Sequence, residues 1–215
     1  MPGLITRSPD ILSSANQLRD AYNLELQSAD GHPVRFGDLI LEKGEITTVV
    51  LFIRHFFCIY DQSYVRSVSQ HLTDSVLQTL PHMHNRGPIQ IIIIGCGNPN
   101  LIVPYVSETG TTMPVYTDPG GKLYEKLHMR RTVKGITTQP VYSGVGFWKS
   151  LGLTLRQMFS KGRKGFGGGS WDQNGGEWVI RGGRVEYVHR MEHVSDHLTA
   201  DELLGILESQ GKEVE

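Results

Sequence analysis

The chain is poor in sulfur that could crosslink it: it has two cysteines, Cys58 and Cys96, in 215 residues. That excludes a disulfide framework and leaves each cysteine as either an inert core residue or a reactive thiol. An excess of either charge is also missing, with 21 Lys and Arg against 22 Asp and Glu and a formal net charge of -1. Without a basic field, neither nucleic acid nor an anionic membrane is an expected partner. No stretch approaches the roughly 20 apolar residues that span a bilayer, and the opening "MPGLITRSPD" lacks the charged-then-apolar order of a secretion signal. The expectation is a cytoplasmic protein. Internal repeats and nucleotide fingerprints are absent too. "KGRKGFGGGS" has glycines and cations but follows no strand, and "GCGNPN" sets Pro99 and Asn100 in the wrong places for a dinucleotide loop. No bound cofactor is called for.

What is present, 39% hydrophobic and 20% charged residues, suits one α/β domain over residues 1–215. "SPDILSSANQLRDAYN" has helical apolar spacing, and "LELQSADGHPVRFGDLI" folds about an Asp-Gly turn into a β-hairpin. "ITTVVLFI" and "PIQIIIIG" are unbroken apolar runs, as strands buried on both faces require, and "MPVYTD" is a third strand candidate. Between them, Val65, Val68, Leu72, Val76 and Leu80 mark one helical stripe, and "NPNLIVPYVSETG" a second helix ended by Gly110. "PGGKLYEKLHM" is a short helix, "EWVIRGGRVEYVHR" a second hairpin, and "TADELLGIL" a helix opened by Thr199 and Glu202 in capping-box spacing. Alternating strands and helices imply a central sheet covered on both faces. Residues 137–176 read as a long, mobile Gly-rich insertion. Its cluster of Phe147, Trp148, Leu151, Leu155, Met158 and Phe159 is most simply core packing, with a homodimer surface or a substrate wall as alternatives.

Cys58 falls where the first buried strand gives way to a helix, in "FIRHFFCIYDQSY". In open α/β sheets that carboxyl edge is where reacting groups gather. The helix N-terminus, Arg54 and His55 would each favour a thiolate there, while Phe56 and Phe57 would oppose it by excluding water. A cleft at Cys58 is expected. Cys96 ends the next strand, so the two sulfurs leave the sheet at one edge if those strands are neighbours. His189, His193 and His197, spaced four apart in "HRMEHVSDH", would align for a metal on one helix, but the Thr199 cap places them before the helix begins. No metal site is assigned.

The ordered blocks "RHFFC", "IIIIGCGNPNLIVPYVSETG", "MPVYTDPGGKLYEKL", "GGEWVIRGGRVEYVHR" and "DHLTADELL", from Leu24 to Leu207, resemble the peroxiredoxin-like 2 family of the AhpC/TSA superfamily. The resemblance implies a thioredoxin-like, peroxiredoxin-type fold with a mixed central sheet, and a reactive thiol at Cys58. Family members often carry Cys-x-x-Cys here, whereas this chain has Cys58, Ile59, Tyr60 and Asp61, so the local disulfide cannot form. The peroxiredoxin Thr three residues before the cysteine is His55 here, and the later block "DQNGGEWVI" offers Gln173 and Asn174 but no Arg. Arg54, Arg130, Arg131 or Arg190 would have to supply the missing charge.

Two readings stay open. In the first, Cys58 is the nucleophile of a thiol oxidoreductase that reduces peroxides, assisted by Arg54, His55 and Asp61. Cys96 or an external thiol such as glutathione or thioredoxin then resolves the sulfenic acid. In the second, the same edge carries non-redox acid-base chemistry on a small apolar molecule, with Arg54, His55 and Asp61, and Cys58 as a further candidate, acting and Phe56, Phe57, Tyr60, Trp148 and Arg130 lining the pocket. A binding protein without activity is a weaker third.

Overall fold

The computed structural model describes residues 15–40, 45–84, 87–135, 138, 140 and 170–209. Two interior strands, β3 (Thr47–Phe52) and β4 (Ile89–Gly95), pair in parallel from Thr47↔Ile89 to Phe52↔Ile94. Their β-branched, apolar sequences suit that position because both faces of each strand are covered. The short β5 (Val115–Thr117) adds in parallel to β4, and β1 (Glu25–Gln27) and β2 (Pro33–Arg35) extend that side antiparallel. On the other side β6 (Gly176–Arg181) runs antiparallel to β3 and turns back as β7 (Arg184–Arg190). The resulting seven-stranded mixed sheet has the order β2-β1-β5-β4-β3-β6-β7.

Alternation along β3 divides the core in two. Val49 and Leu51 face α2 (Ile59–His71), α3 (Asp74–His84), α4 (Ile102–Thr109) and α6 (Ala200–Ser209), packing with Val65, Val68, Leu80, Tyr105 and Leu203. Val50 and Phe52 face α1 (Ala15–Tyr22) and α5 (Lys122–Lys126), packing with Ala21, Leu123, Tyr124 and Trp178. No described helix is long and apolar enough to cross a membrane.

Both hairpins follow their turn chemistry, with Gly31 at φ 81° in the first and Gly182 and Gly183 at φ 51° and 76° in the second. The helical stripe from Val65 to Leu80 is divided between α2 and α3 rather than continuous. Leu72 leaves helical geometry at φ -101°, ψ 63°, and Thr73 then accepts from the backbone amides of Val76 and Leu77. A new N-cap thus interrupts a stripe whose apolar period runs on unbroken. The N-terminal helix is described from Ala15, and most of the Gly-rich insertion, including Trp148 and its apolar neighbours, lies outside the described residues.

At Gly175, next to β6, the chain approaches β3 more closely than a side chain allows. A Cβ there would lie 1.7 Å from the carbonyl oxygen of Phe52. Gly175→Ala is expected to destabilise the protein by about 3 kcal/mol or more, or to prevent folding. A shift in the urea midpoint of this variant checks it.

Candidate active site

The sheet builds the site by ending β3 and β4 together. Ile53 N–H still donates to Ile94 O at 2.9 Å, and the Tyr124 hydroxyl lies 2.6 Å from Ile53 O and 2.7 Å from Ile94 O, tying the two strand ends. The chain then turns, Cys58 N–H donating to His55 O, and enters α2 with Cys58 as its N-cap residue. Asp61, in the first turn of α2, reaches back to accept from the Arg54 backbone N–H at 2.6 Å. The strand exit and the helix entry are thereby locked to each other around the thiol.

Arg54 is the guanidinium that meets Cys58, with Nη1 donating to Sγ at 3.3 Å. Its other nitrogens are fixed by the backbone of the 170s segment, Nε by Gln173 O at 3.2 Å and Nη2 by Trp171 O at 2.6 Å. Gln173 therefore contributes its carbonyl rather than a charge of its own. The other candidate cations are engaged elsewhere: Arg130 pairs with Glu192, Arg131 with Asp172, and Arg190 donates to Leu127 O and lies over Trp178.

Burial changes the expected chemistry. Cys58 is 6% exposed, and its thiol is pushed up to about 12, first by desolvation and then by the Asp61 carboxylate, against the pull of Arg54. The expectation that its position would favour a thiolate is reversed, because the helix terminus and one guanidinium do not offset removal from water. His55, 2% exposed and tilted against the Trp171 ring at 4.8 Å, is held down to about 3 by burial and by Arg54. It stays neutral near pH 7 and is not the proton shuttle that an unperturbed imidazole would be. Phe57 is buried in the core below the site, and Tyr60 is buried beside it, its phenol raised by burial and by Cys58. Tyr105 of α4 was not singled out in the sequence, yet its buried hydroxyl has no hydrogen-bond partner among the described residues and lies within electrostatic reach of Asp61 and Cys58.

Cys96 ends β4 as expected, but on the other face. It packs with Ile92, Ile94, Tyr124 and Met129, in the core opposite α2, and both cysteines are free. A cleft of about 1080 Å³ opens there, lined by Cys96 together with Gly97, Gly121, His128, Arg130 and Gln173. Of the two thiols it is Cys96, not Cys58, that lines this cleft.

Behind Asp61 lies a set of buried charges that the sequence pattern hid. His197 Nε2 is 3.3 Å from Asp61 Oδ1, and His197 Nδ1 is 2.6 Å from Glu177 Oε1. Glu177 Oε2 is 2.7 Å from His189 Nδ1, and His189 Nε2 is 3.5 Å from Asp196 Oδ2. Glu177, fully buried, is held down to about 2: burial opposes its ionisation, but His197 and His189 together outweigh it. Burial likewise disfavours charge on the two imidazoles, yet their carboxylate partners raise each to about 9. Asp61 is also lowered, His197 and Arg54 overcoming its burial. Both nitrogens of His197 and His189 are thus committed to carboxylates, and among the described residues no cluster is arranged to hold a metal ion.

A mixed seven-stranded sheet, helices on both faces, and a cysteine capping the helix after a central strand define the class, a thioredoxin-like fold of the peroxiredoxin type. Among solved structures, the bacterioferritin comigratory protein of Xanthomonas campestris superimposes with a TM-score of 0.55 over 94% of this chain and 99% of that one, at 12% identity. Peroxidoxin BcpB of Mycobacterium tuberculosis gives 0.52 over 95% and 97%, at 15% identity. The family model for AhpC/TSA antioxidant enzymes matches residues 76–193, and the chain belongs to that family. Its curated relatives include the Peroxiredoxin-like 2C proteins of Mus musculus, 26% identical over 86% of this chain and 77% of the relative, and of Bos taurus, 32% identical over 50% and 42%. The match to the bovine protein thus spans less than half of that protein's length. The family match includes Cys96 and Glu177 and begins after Cys58.

The buried charges set a pH profile. His189 and His197, raised from 6.5 to about 9, add stability that is complete below pH 6.5 and is lost as pH rises through 9. Glu177, lowered from 4.5 to about 2, adds stability that is present above 4.5 and is lost as pH falls through 2. His55, lowered from 6.5 to about 3, costs stability progressively as pH falls across that same interval. Urea unfolding is expected to show greatest stability near pH 6.5, with a decline by pH 9 that is shallower in His189→Gln. An unchanged stability from pH 6.5 to 9 would mean that the imidazoles are neutral.

Proposed function

We propose that the protein is a thiol-dependent oxidoreductase that reduces peroxides at Cys58. The observation that carries this reading is the Arg54 guanidinium donating to Cys58 Sγ at the N-cap of α2. Membership of the AhpC/TSA antioxidant family supports it, as does a Xanthomonas fold neighbour whose alkyl peroxide reduction activity has been examined.

The resting group is a thiol, so the reaction needs a base. Asp61 interacts with the Cys58 side chain and is ionised. As sulfur attacks one peroxide oxygen, the S–H proton passes to Asp61, the O–O bond breaks, and Asp61 returns the proton to the departing oxygen. Sulfur is oxidised to sulfenic acid, the peroxide is reduced to water or an alcohol, and no proton is gained or lost overall. Arg54 faces the developing negative charge, in the role that peroxiredoxins give to an arginine from a later strand. The Tyr105 hydroxyl, without a partner among the described residues, is a donor available to the oxidant. Resolution falls to an external thiol of the glutathione or thioredoxin kind, because Cys96 packs on the opposite face of the sheet. The acid-base alternative has less support, since His55 is held neutral and Asp61 is bonded to His197 and the Arg54 backbone.

With only 6% of Cys58 exposed, oxidant size should matter. Hydrogen peroxide is expected to give a sulfenic acid at Cys58, trapped by dimedone and located by mass spectrometry, faster than a bulky aryl hydroperoxide. The signal should vanish in Cys58→Ser, persist in Cys96→Ser, and slow by about tenfold in Tyr105→Phe. A Cys58 that peroxide leaves unmodified sinks the proposal.

A further inference from the structure

The peroxide step uses Asp61 but not the four charged groups behind it. Asp61, His197, Glu177, His189 and Asp196 are each 8% exposed or less. They form one line of alternating carboxylate and imidazole with successive contacts of 3.3, 2.6, 2.7 and 3.5 Å. The line begins at the thiol and ends near solvent. Asp196 Oδ1 lies 3.8 Å from Nε2 of His193, whose side chain is 43% exposed. Replacing such charges by apolar residues of similar volume is often neutral or stabilising, so stability alone gives little reason for a line this long. Linked titratable groups beside a nucleophile are the usual mark of acid-base work.

We propose that these five residues act as a single proton-holding unit for Cys58, with Asp61 as the acceptor and the four groups behind it setting how strongly Asp61 holds the proton. The inference rests on Cys58 being the reactive thiol. The unit carries three carboxylates and two imidazoliums, a net charge of -1 that the Arg54 guanidinium balances across the thiol. When Cys58 ionises, its proton bonds to Asp61. His197, already protonated on both nitrogens, takes no further proton and goes on donating to Asp61 and Glu177. His189 likewise keeps both of its protons between Glu177 and Asp196, so the charges of the outer groups act on Asp61 along the line while the proton stays on Asp61. Each imidazole ends as it began, and the net change is one thiolate beside Arg54 and one neutral carboxyl at Asp61, from which the proton returns to the departing oxygen.

Other titratable groups among the described residues also face this unit. Arg54 and His55 come from the β3 exit, the first a fixed charge and the second neutral. Tyr60 of α2 and Tyr105 of α4 both have raised phenols, and Tyr64 of α2 stacks on His197 at 4.1 Å. At the outer end, Asp196 accepts from the Glu192 backbone N–H at 2.8 Å beside His193. None of these offers Cys58 a second ionised carboxylate.

The test reads Cys58 alone, as the pH dependence of its alkylation by iodoacetamide in a Cys96→Ser background, and needs no peroxidase activity. At the outer end, His189→Gln removes a positive charge and Asp196→Asn a negative one. Below the thiol's midpoint, His189→Gln is expected to strengthen Asp61 as a base and speed alkylation at least threefold, and Asp196→Asn to slow it by a similar factor, with folding checked by thermal melts. Asp61→Asn should abolish the sensitivity to both. Opposite shifts from neighbouring residues are beyond what simple destabilisation produces. If the two shifts are reversed, run in the same direction, or do not appear, the proposal is overturned. If the opposite shifts appear but peroxide leaves Cys58 unoxidised, the proton unit stands and the peroxidase reading falls.

Discussion

The bond from the Arg54 backbone N–H to the Asp61 carboxylate is the contact on which the site depends. It joins the last turn of the strand to the first turn of the helix and so fixes the position of Cys58 between them. It also brings an ionised carboxylate into the core, where an anion is tolerated only with partners. His197 meets that requirement on the other carboxylate oxygen, Glu177 then balances His197, and His189 balances Glu177. One buried anion at the thiol thus accounts for charges extending along β6 and β7 to the sheet edge.

Magnitudes explain why the thiol rests protonated. A helix N-terminus contributes about 0.3–1 kcal/mol, less than one unit of pKa at about 1.4 kcal/mol per unit. Burial, with Asp61, moves Cys58 from 9.0 to about 12, several times that effect. Arg54 is too heavily shared to reverse it, since its Nε and Nη2 serve backbone carbonyls while only Nη1 reaches sulfur. A site of this kind is suited to forming its thiolate during the reaction, with the proton held close, rather than keeping one exposed beforehand.

Much of this was legible in the sequence. The unbroken apolar runs of β3 and β4 identified buried strands, paired glycines located the second hairpin, and the strand-to-helix junction located Cys58. The proton unit was not legible, because its members are scattered from Asp61 to His197 and their contacts exist only once β6 lies beside β3. A signal was available in "GGEWVI", where Glu177 interrupts an otherwise apolar inward-facing pattern and has no neighbour in sequence to neutralise it. The histidines of "HRMEHVSDH" were noticed at metal-like spacing. That spacing carries little meaning on a strand and its following loop, where His189 and His197 converge on Glu177. Likewise, parallel neighbours end at one edge, but side-chain alternation still assigns Cys96 to the face away from α2.

That alternation bears on how the thiol is recycled. The core around Cys58 holds Tyr105, which feels the charge of Cys58, while the core around Cys96 holds Tyr124, which feels that of Cys96. Between them stand the backbones of β3 and β4, with the Tyr124 hydroxyl placed between the carbonyls of Ile53 and Ile94. A direct bond between the sulfurs would require the strand ends to separate and that contact to break. On the proposed reading, an external thiol approaching Cys58 has only the turn at 54–58 and the 170s backbone over Arg54 to displace. In the proposed reaction Asp61, in place of a second cysteine, therefore does more than remove a local disulfide: it exchanges an internal electron store for an internal proton store and leaves the electrons to come from outside.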